Sequence, residues 1–164
     1  MKAKSSHHGE GEDSLELFPY GLLIAASMDG ETPIGIVLTW AMQVSFNPPL
    51  VAAAIERPSR MRTAVQNSGC FTLSFLPKAT GMALAREFLQ SSRPAGPATM
   101  PLTLSPSRMP HVEGARAWLT CRVRKDINTG DHDTVIGEVI ESGGDPGTGE
   151  VLSLKDTGWR YRRR

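Results

Sequence analysis

The chain has few cysteines, few aromatic residues and no excess of charge of either sign. Its 164 residues include two cysteines, and aromatic residues make up 6% of the total. Two cysteines are too few for a disulfide scaffold, and Cys70 and Cys121 both stand in apolar segments that are typical of buried thiols. The 18 basic and 17 acidic residues nearly cancel. Charge therefore does not indicate a nucleic-acid or membrane partner.

Long apolar runs and the common catalytic signatures are also missing. No stretch is long enough to span a bilayer, and the polar N-terminus lacks a signal-peptide core, so a cytoplasmic location is expected. We find no Ser/His/Asp arrangement, carboxylate pair or metal-ligand cluster of the kind that a hydrolase needs. A Gly-x-Gly-x-x-Gly fingerprint after a strand is absent, so a dinucleotide would not bind in a Rossmann crevice.

What is present is a series of short strand patterns separated by turn signals. Residues 1–14 are polar and predict a disordered tail, which leaves one folded domain over residues 15–164. Strands are predicted at residues 22–27, 34–39, 50–55, 71–75, 116–127 and 134–140, a short helix within residues 57–69, and a second helix at about residues 80–90. This order predicts a mainly β protein with a few helices, built as a closed antiparallel barrel.

Two of these elements carry detailed burial predictions. In residues 116–127, the alternation places Ala117, Leu119, Cys121 and Val123 inward and their neighbours, Trp118 and Thr120 among them, outward. In residues 80–90, the buried stripe is expected to contain Leu84, Ala85, Phe88 and Leu89. Residues 91–111 are rich in Pro, Ser and Gly and read as a long surface excursion, either a binding loop or a disordered segment.

The most informative segment is a strand-like run over residues 38–51. Beyond Ala41, Met42, Val44 and Phe46 alternate with Gln43, Ser45 and Asn47, so that one face of the ribbon is polar from end to end. Pro48 and Pro49 then interrupt the strand, because neither offers a backbone N–H. The pattern is consistent with a lined groove beside a strand break, or with an ordinary half-exposed strand.

A basic helix start follows this strand. Ser59 is placed to cap a helix whose Met61, Ala64 and Val65 share one face, and Gly69 suits the position after its C-terminus. Arg57, Arg60 and Arg62 crowd the positive end of the helix dipole, which is unfavourable unless an anion binds. Together with the hydroxyls of Ser59 and Thr63, they form a candidate phosphate seat. A solvated basic helix start is the alternative.

Together these segments resemble the flavin reductase-like family, whose members are FMN-binding split barrels. The resemblance is carried by the sequence TWAMQVSFNPP at residues 39–49, an apolar strand, RPSRMRT at residues 57–63, SGCFTLSFL at residues 68–76, and Gly130-Asp131-His132 before another apolar strand. It covers roughly residues 18–161. It implies an FMN-binding split β-barrel, antiparallel and Greek-key-like, that is typically a homodimer.

The resemblance also implies roles for particular residues. FMN, or FAD, is the expected cofactor, with NADH or NADPH as co-substrate. The flavin ring would lie against the backbone of Thr39, Trp40 and Ala41, with Trp40 either stacking on the ring or packing beside it. Gln43 and Ser45 would reach the ribityl chain or ring edge, and the phosphate would be held by Arg57, Ser59, Arg60 and Thr63. His132 would position the reduced dinucleotide, or is a loop histidine bonded to a backbone carbonyl.

Three functions are compatible with these patterns. The first is a flavin reductase that supplies reduced flavin or electrons to a monooxygenase or another acceptor. The second is a non-catalytic FMN-binding electron carrier of the same fold. The third is a barrel that binds single-stranded nucleic acid, which the low aromatic content and near-zero charge disfavour. Among the flavin-dependent functions, the sequence leaves open the choice of flavin, its retention, the dinucleotide and the acceptor.

Overall fold

The computed structural model describes residues 14–15, 17–91, 100–147 and 149–159. Its strands are β1 (Leu23–Asp29), β2 (Thr32–Leu38), β3 (Ala41–Ser45), β4 (Leu50–Glu56), β5 (Cys70–Phe75), β6 (Leu102–Leu104), β7 (Pro110–Val112), β8 (Ala117–Asn128) and β9 (His132–Gly144). Its helices are α1 (Arg60–Ser68), α2 (Gly81–Ser91) and α3 (Leu154–Thr157). The predicted tail lies, up to residue 13, outside the described residues.

Seven of the strands form one antiparallel sheet with β2 and β3 at its edges. The strand order is β2-β1-β5-β8-β9-β4-β3, so that β2 and β3 occupy opposite edges although they are consecutive in the chain. Only Thr39 and Trp40 lie between them. Because a residue advances the chain by at most about 3.5 Å, the two edges must come close together, and the sheet curls into the predicted barrel.

Helix α1 packs into the barrel interior and carries the predicted caps. Ser59 accepts a hydrogen bond from the backbone N–H of Arg62, and Gly69 ends the helix in the left-handed conformation with φ of 67°. Met61, Ala64 and Val65 are buried as predicted, and they join the barrel core with Phe71, Leu73, Cys121 and Val135. The capped start of α1 is therefore fixed at one place on the barrel.

A second apolar layer covers the outer face of the sheet, where α2 and the hairpin of β6 and β7 pack. It is formed by Leu22, Ile24, Leu76, Ala85, Phe88, Val112 and Leu152. The hairpin corrects the expectation that residues 91–111 form only a surface excursion: Val112 N–H donates to Ser74 Oγ at 3.0 Å, and Pro110 O accepts from Thr72 Oγ1. Residues 92–99 lie outside the described part of the chain.

The same hairpin explains why one burial prediction was wrong. Thr120, predicted to point to solvent, is fully buried. It pairs with Thr72, which lies beneath the hairpin, so this outer face of β8 is covered. The prediction for Leu89 was also wrong, since it is 41% exposed. It lies about 100° around the helix from Phe88, outside the stripe that packs on the sheet.

Strand β3 is an edge strand with both faces open. Met42 is 66% exposed, Val44 46% and the following Phe46 89%, while Gln43 is exposed on the opposite side. The predicted alternation is therefore present in the sequence of β3, but its apolar face is not buried within this chain. A shift of register between Gln43 and Ser45 further interrupts its pairing with β4.

No helix in the described ranges is long and apolar enough to cross a membrane.

Candidate functional site

An open groove lies beside the start of α1. Its volume is about 730 Å³. One wall follows the chain from Arg57 through the first turns of α1, and the other wall belongs to β8 and β9. The lining residues are Arg57, Pro58, Ser59, Arg60, Arg62, Thr63, Gln66, Asp126, Asn128 and Asp133. The structure thus brings together the four residues predicted to hold a phosphate.

Local sequence explains how α1 presents this wall. The Ser59 side chain caps the helix at 3.1 Å from the backbone nitrogen of Arg62, and Thr63 Oγ1 donates to the backbone oxygen of Ser59 at 3.3 Å. Both hydroxyls therefore support the first turn. The remaining backbone N–H groups of that turn have no partners inside the helix, which makes this end attractive to an anion.

The arginines at the helix start are neutralised by aspartates from three strands. Arg60 Nε lies 2.7 Å from Asp29 at the end of β1. Arg62 contacts Asp126 of β8 and lies 2.6 Å from Asp133 of β9. Much of the positive charge that the sequence leaves unbalanced at this helix start is thus countered by the protein's own carboxylates.

The exposure of these pairs decides which charges face the groove. The side chains of Arg57 and Arg60 are 45% and 66% exposed, whereas Asp133 is 8% exposed. Arg57 contacts Asp133 through Nη1 at 3.1 Å. The guanidinium groups of Arg57 and Arg60 are consequently presented to solvent, and the carboxylate of Asp133 lies behind Arg57.

A separate contact brings His132 to Trp40. Their ring centroids are 4.8 Å apart with the planes inclined by 49°. His132 Nδ1 lies 2.9 Å from Asp131 Oδ1, and the histidine side chain is 12% exposed. The ring therefore pairs with a carboxylate and an indole. The structure places the predicted dinucleotide-positioning residue beside a predicted flavin contact.

The pairing of β4 with β9 connects the groove to the Trp40–His132 contact. Glu56 at the end of β4 pairs with His132, and the backbone nitrogen of Arg57 donates to Asp131 O at 2.7 Å. Since successive side chains of a strand point to opposite faces, His132 and Asp133 project to opposite sides of β9. The two parts are therefore neighbours along the chain and lie on different faces of the sheet.

Other predicted residues lie farther along β3. Ala41 pairs with Ala53, Gln43 with Val51, and Ser45 with Leu50 at the beginning of β4. Arg57 follows the far end of β4, which places Ser45 about 20 Å from it along the strand. The structure therefore does not bring Gln43 and Ser45 to the groove.

Thr39 and Trp40 make the corner between the two sheet edges. The Thr39 hydroxyl is buried and has no hydrogen-bond partner among the described residues. Trp40 O accepts from the backbone nitrogen of Ala54 at 2.9 Å, which ties the corner to β4. A buried hydroxyl of this kind is normally satisfied, so the corner offers a polar group to a ligand.

Sequence reasoning missed the aspartates that pair with the arginines at the helix start. Asp29, Asp126 and Asp133 were not among the candidate residues, although each pairs with an arginine of the helix start. One signal was available: Asp133 is a charged residue at the second position of an apolar strand, where a buried carboxylate requires a partner. The other two stand in polar surroundings that carry no such signal.

In the described residues, no group of three His, Cys, Asp or Glu side chains is arranged to hold a metal ion. The arrangement that is present can bind: exposed guanidinium groups and a helix N-terminus suit a phosphate, and the aromatic corner suits a planar ring.

Comparisons with known proteins match the chain to a protein family and to individual relatives. The model of the family described as "Flavin reductase like domain" matches residues 15–160. The reductase component of 4-hydroxyphenylacetate 3-monooxygenase from Thermus thermophilus is 32% identical over 130 residues, which cover 79% of this chain and 80% of that protein.

Two further matches differ in extent. A putative diflavin flavoprotein from Synechocystis sp. is 24% identical over 77% of this chain, and the chain spans 22% of its length. The solved structure of an NADH:FAD oxidoreductase from Streptomyces globisporus superimposes with a TM-score of 0.79 at 24% identity, covering 100% of this chain and 98% of the other. At that identity the superposition establishes the shared fold alone.

Proposed function

Because the chain belongs to the flavin reductase-like domain family, we propose that it is an NAD(P)H-dependent flavin reductase. It transfers a hydride from NADH or NADPH to FMN or FAD, and it supplies reduced flavin or electrons to an acceptor such as a monooxygenase. The observation that carries the proposal is that the Trp40–His132 contact and the arginine-lined groove lie at the same end of the β4–β9 pair. The name of the Thermus relative, a monooxygenase reductase component, supports the acceptor.

The residues present fit a flavin. Arg57, Ser59, Arg60 and Thr63 would hold its phosphate, because they combine exposed positive charge with a capped helix start. The corner from Thr39 to Ala41 would hold the ring, and the unpartnered Thr39 hydroxyl offers it a polar contact. Gln43 and Ser45 would act farther along β3, at the ring edge, since they are remote from the groove.

The protein's contribution to the reaction is binding and orientation. A bound flavin supplies the electron-accepting chemistry, taking hydride from the reduced nicotinamide. Holding two reactants in a productive orientation removes a large part of the entropic barrier. The imidazole of His132, immobilised between Trp40 and Asp131, would orient the dinucleotide at the aromatic corner. We also propose that the protein is cytoplasmic, because the NADH or NADPH that the reaction consumes is present in the cytoplasm.

The exposed edge of β3 supports the proposal that the protein is a homodimer. Met42, Val44 and Phe46 form an apolar surface that this chain leaves uncovered in the described structure. An open edge strand with apolar side chains favours pairing with another chain. We assign this surface to a second copy, which would also bring a neighbouring chain close to the proposed ring site.

The relative of diflavin type supports a second candidate, an electron carrier that retains its flavin and receives electrons from a partner protein. The chain matches a segment equal to 22% of that flavoprotein, so the same domain occurs within a larger protein. The two functions differ in the rate at which free NADH or NADPH reduces the bound flavin.

The deciding experiment is an anaerobic absorbance trace of the purified protein with FMN. Rapid loss of the oxidised flavin band after addition of NADH or NADPH is expected for the reductase. Bound flavin without bleaching would support the electron carrier, and no bound flavin would contradict both. The same trace with FAD, and with each dinucleotide at equal concentration, would identify the preferred pair.

A further inference from the structure

We propose that Asp133 is a positioning residue for the flavin phosphate, acting by orienting Arg57 and Arg62 at the groove. The proposal rests on the proposed function, because it takes the groove to be the phosphate site of a flavin protein. Its basis is one buried carboxylate that holds two arginines from different elements.

Both oxygens of Asp133 are used, each by a different guanidinium. Oδ1 accepts from Arg57 Nη1 at 3.1 Å, and Oδ2 accepts from Arg62 Nε at 2.6 Å. Asp133 belongs to β9, Arg57 follows β4, and Arg62 lies in the first turn of α1. One side chain therefore fixes the relative position of the two walls of the groove.

The three side chains differ in exposure, and the difference shows which of them faces the groove. The Asp133 side chain is 8% exposed and that of Arg62 is 13% exposed, while Arg57 is 45% exposed. Arg62 Nη1 is buried and has no hydrogen-bond partner among the described residues. A buried donor without a partner is costly, so a ligand oxygen or a water reaching it from the groove is expected.

Asp133 differs in this respect from Asp29 and Asp126, the other two aspartates that pair with arginines at the helix start. Asp29 pairs with the exposed Arg60 and is itself 33% exposed. Asp126 is 37% exposed and contacts only the outer end of Arg62. Pairs between exposed side chains hold their partners weakly, whereas a buried carboxylate with two charge-assisted hydrogen bonds holds them in one geometry.

Orientation of Arg57 matters for affinity because a long side chain that is already held loses less freedom when a ligand binds. Replacement of Asp133 by asparagine keeps the shape of the side chain and removes its charge. The amide has one neutral acceptor oxygen in place of two charged ones, so it can no longer hold Arg57 and Arg62 together, and both lose the charge-assisted contact. The ring contacts at Trp40 and His132 lie on the opposite face of β9 and are left unchanged.

The test compares FMN with riboflavin, which lacks the phosphate. For D133N, we expect the dissociation constant of FMN, measured by quenching of flavin fluorescence, to rise about tenfold while that of riboflavin changes less than twofold. D29N is the matched control, because it removes a carboxylate that lies outside the groove lining and, among the described residues, forms an ion pair with the exposed Arg60 alone; its preference for FMN over riboflavin should not fall. Equal weakening of both ligands, or no change in either, would overturn the proposal.

A double substitution and a second variant complete the design. If Asp133 acts through Arg57, then D133N combined with R57Q should lower the FMN preference less than the two single effects multiplied together. Should D133N fail to fold, D133E displaces the carboxylate while keeping its charge. It is expected to lower the FMN preference several-fold, and an unchanged preference would overturn the proposal.

Failure of the Asp133 proposal can be distinguished from failure of the proposed reductase function. Bleaching of flavin by NADH or NADPH in the wild-type protein tests the reductase activity independently of the phosphate. If the wild-type protein is reduced by the dinucleotide but binds FMN no more tightly than riboflavin, the reductase stands and the role of Asp133 is overturned.

Discussion

The imidazole of His132 lies against the indole of Trp40, with ring centroids 4.8 Å apart, although the two residues are far apart in the sequence. Trp40 belongs to the corner between β2 and β3, and His132 opens β9. They meet because β9 pairs with β4, and β4 in turn pairs with β3. The contact joins the residue that we assign to the dinucleotide with the corner that we assign to the flavin ring.

Replacing His132 by alanine is expected to raise the apparent KM for the dinucleotide several-fold more than it raises the dissociation constant of the flavin. The reason is that the histidine ring borders the flavin corner and, in our assignment, orients the second reactant. Steady-state kinetics and flavin titration on the same preparation measure both quantities. If only flavin affinity collapses, His132 belongs to the cofactor contact instead.

The paired change R60A/T63A is expected to weaken FMN retention by tenfold or more with little effect on the fold. Arg60 is 66% exposed and pairs with a partly exposed carboxylate, and such pairs contribute little to stability. The dissociation constant of FMN and a thermal melt are the measurements. R86A, on the exposed side of α2, serves as the control. Flavin affinity equal to that of R86A would remove the phosphate site from this groove.

Replacing the exposed Phe46 by aspartate is expected to convert a dimer to monomers. Phe46 is 89% exposed at the end of β3, and a charge there opposes burial against a second copy. Size-exclusion chromatography with light scattering gives the mass. L89D introduces the same charge at a 41% exposed position on α2 and should leave the mass unchanged. A wild-type monomer at micromolar concentration would contradict the assignment of this surface.

Gly137→Ala is expected to lower the free energy of unfolding by about 1–3 kcal/mol, as is typical of overpacked cores. A Cβ atom at Gly137 would lie 2.6 Å from the Phe71 ring and 2.8 Å from the Cys121 Cβ. Gly21→Ala provides the control, because its Cβ would meet no atom within 4 Å. The urea midpoints of the two variants measure the difference in stability. Equal midpoints would show that the Phe71 ring moves aside without lowering the free energy of unfolding.

Cys121 is expected to resist alkylation at pH 8. Burial raises the pKa of its thiol to about 12, and the neighbouring Cys70 adds to the shift. The reactive species is the thiolate, which is therefore scarce until the pH approaches 12. Because the folded pKa lies above the ordinary value of 9.0, the protonated thiol favours the fold below pH 9, and this contribution is lost as pH rises from 9 towards 12.

The C70S variant isolates Cys121 for this measurement, and mass spectrometry after iodoacetamide treatment follows the reaction. Unfolding in urea should release the protection. Rapid modification of the folded C70S protein would show that Cys121 is accessible to reagent.

Local patterns predicted the elements that local forces determine. The alternation of apolar residues predicted most strands of the barrel, and Ser59 and Gly69 predicted both ends of α1, which the structure confirms. Burial was mispredicted where a distant segment covers a surface, as at Thr120, or leaves it open, as at Leu89 and along β3. Periodicity reports which residues share a face, and it carries no information on what packs against that face.

The sequence by itself determined the strand and helix periods, the capped basic helix start and the motifs that indicate the family. Only the tertiary structure decided that Asp29, Asp126 and Asp133 balance the arginines, that His132 meets Trp40, and that Gln43 and Ser45 lie away from the groove. The physical reason is that these relationships depend on strand register and on the curvature of the sheet. Both are set by packing between segments far apart in the chain, which no local pattern encodes.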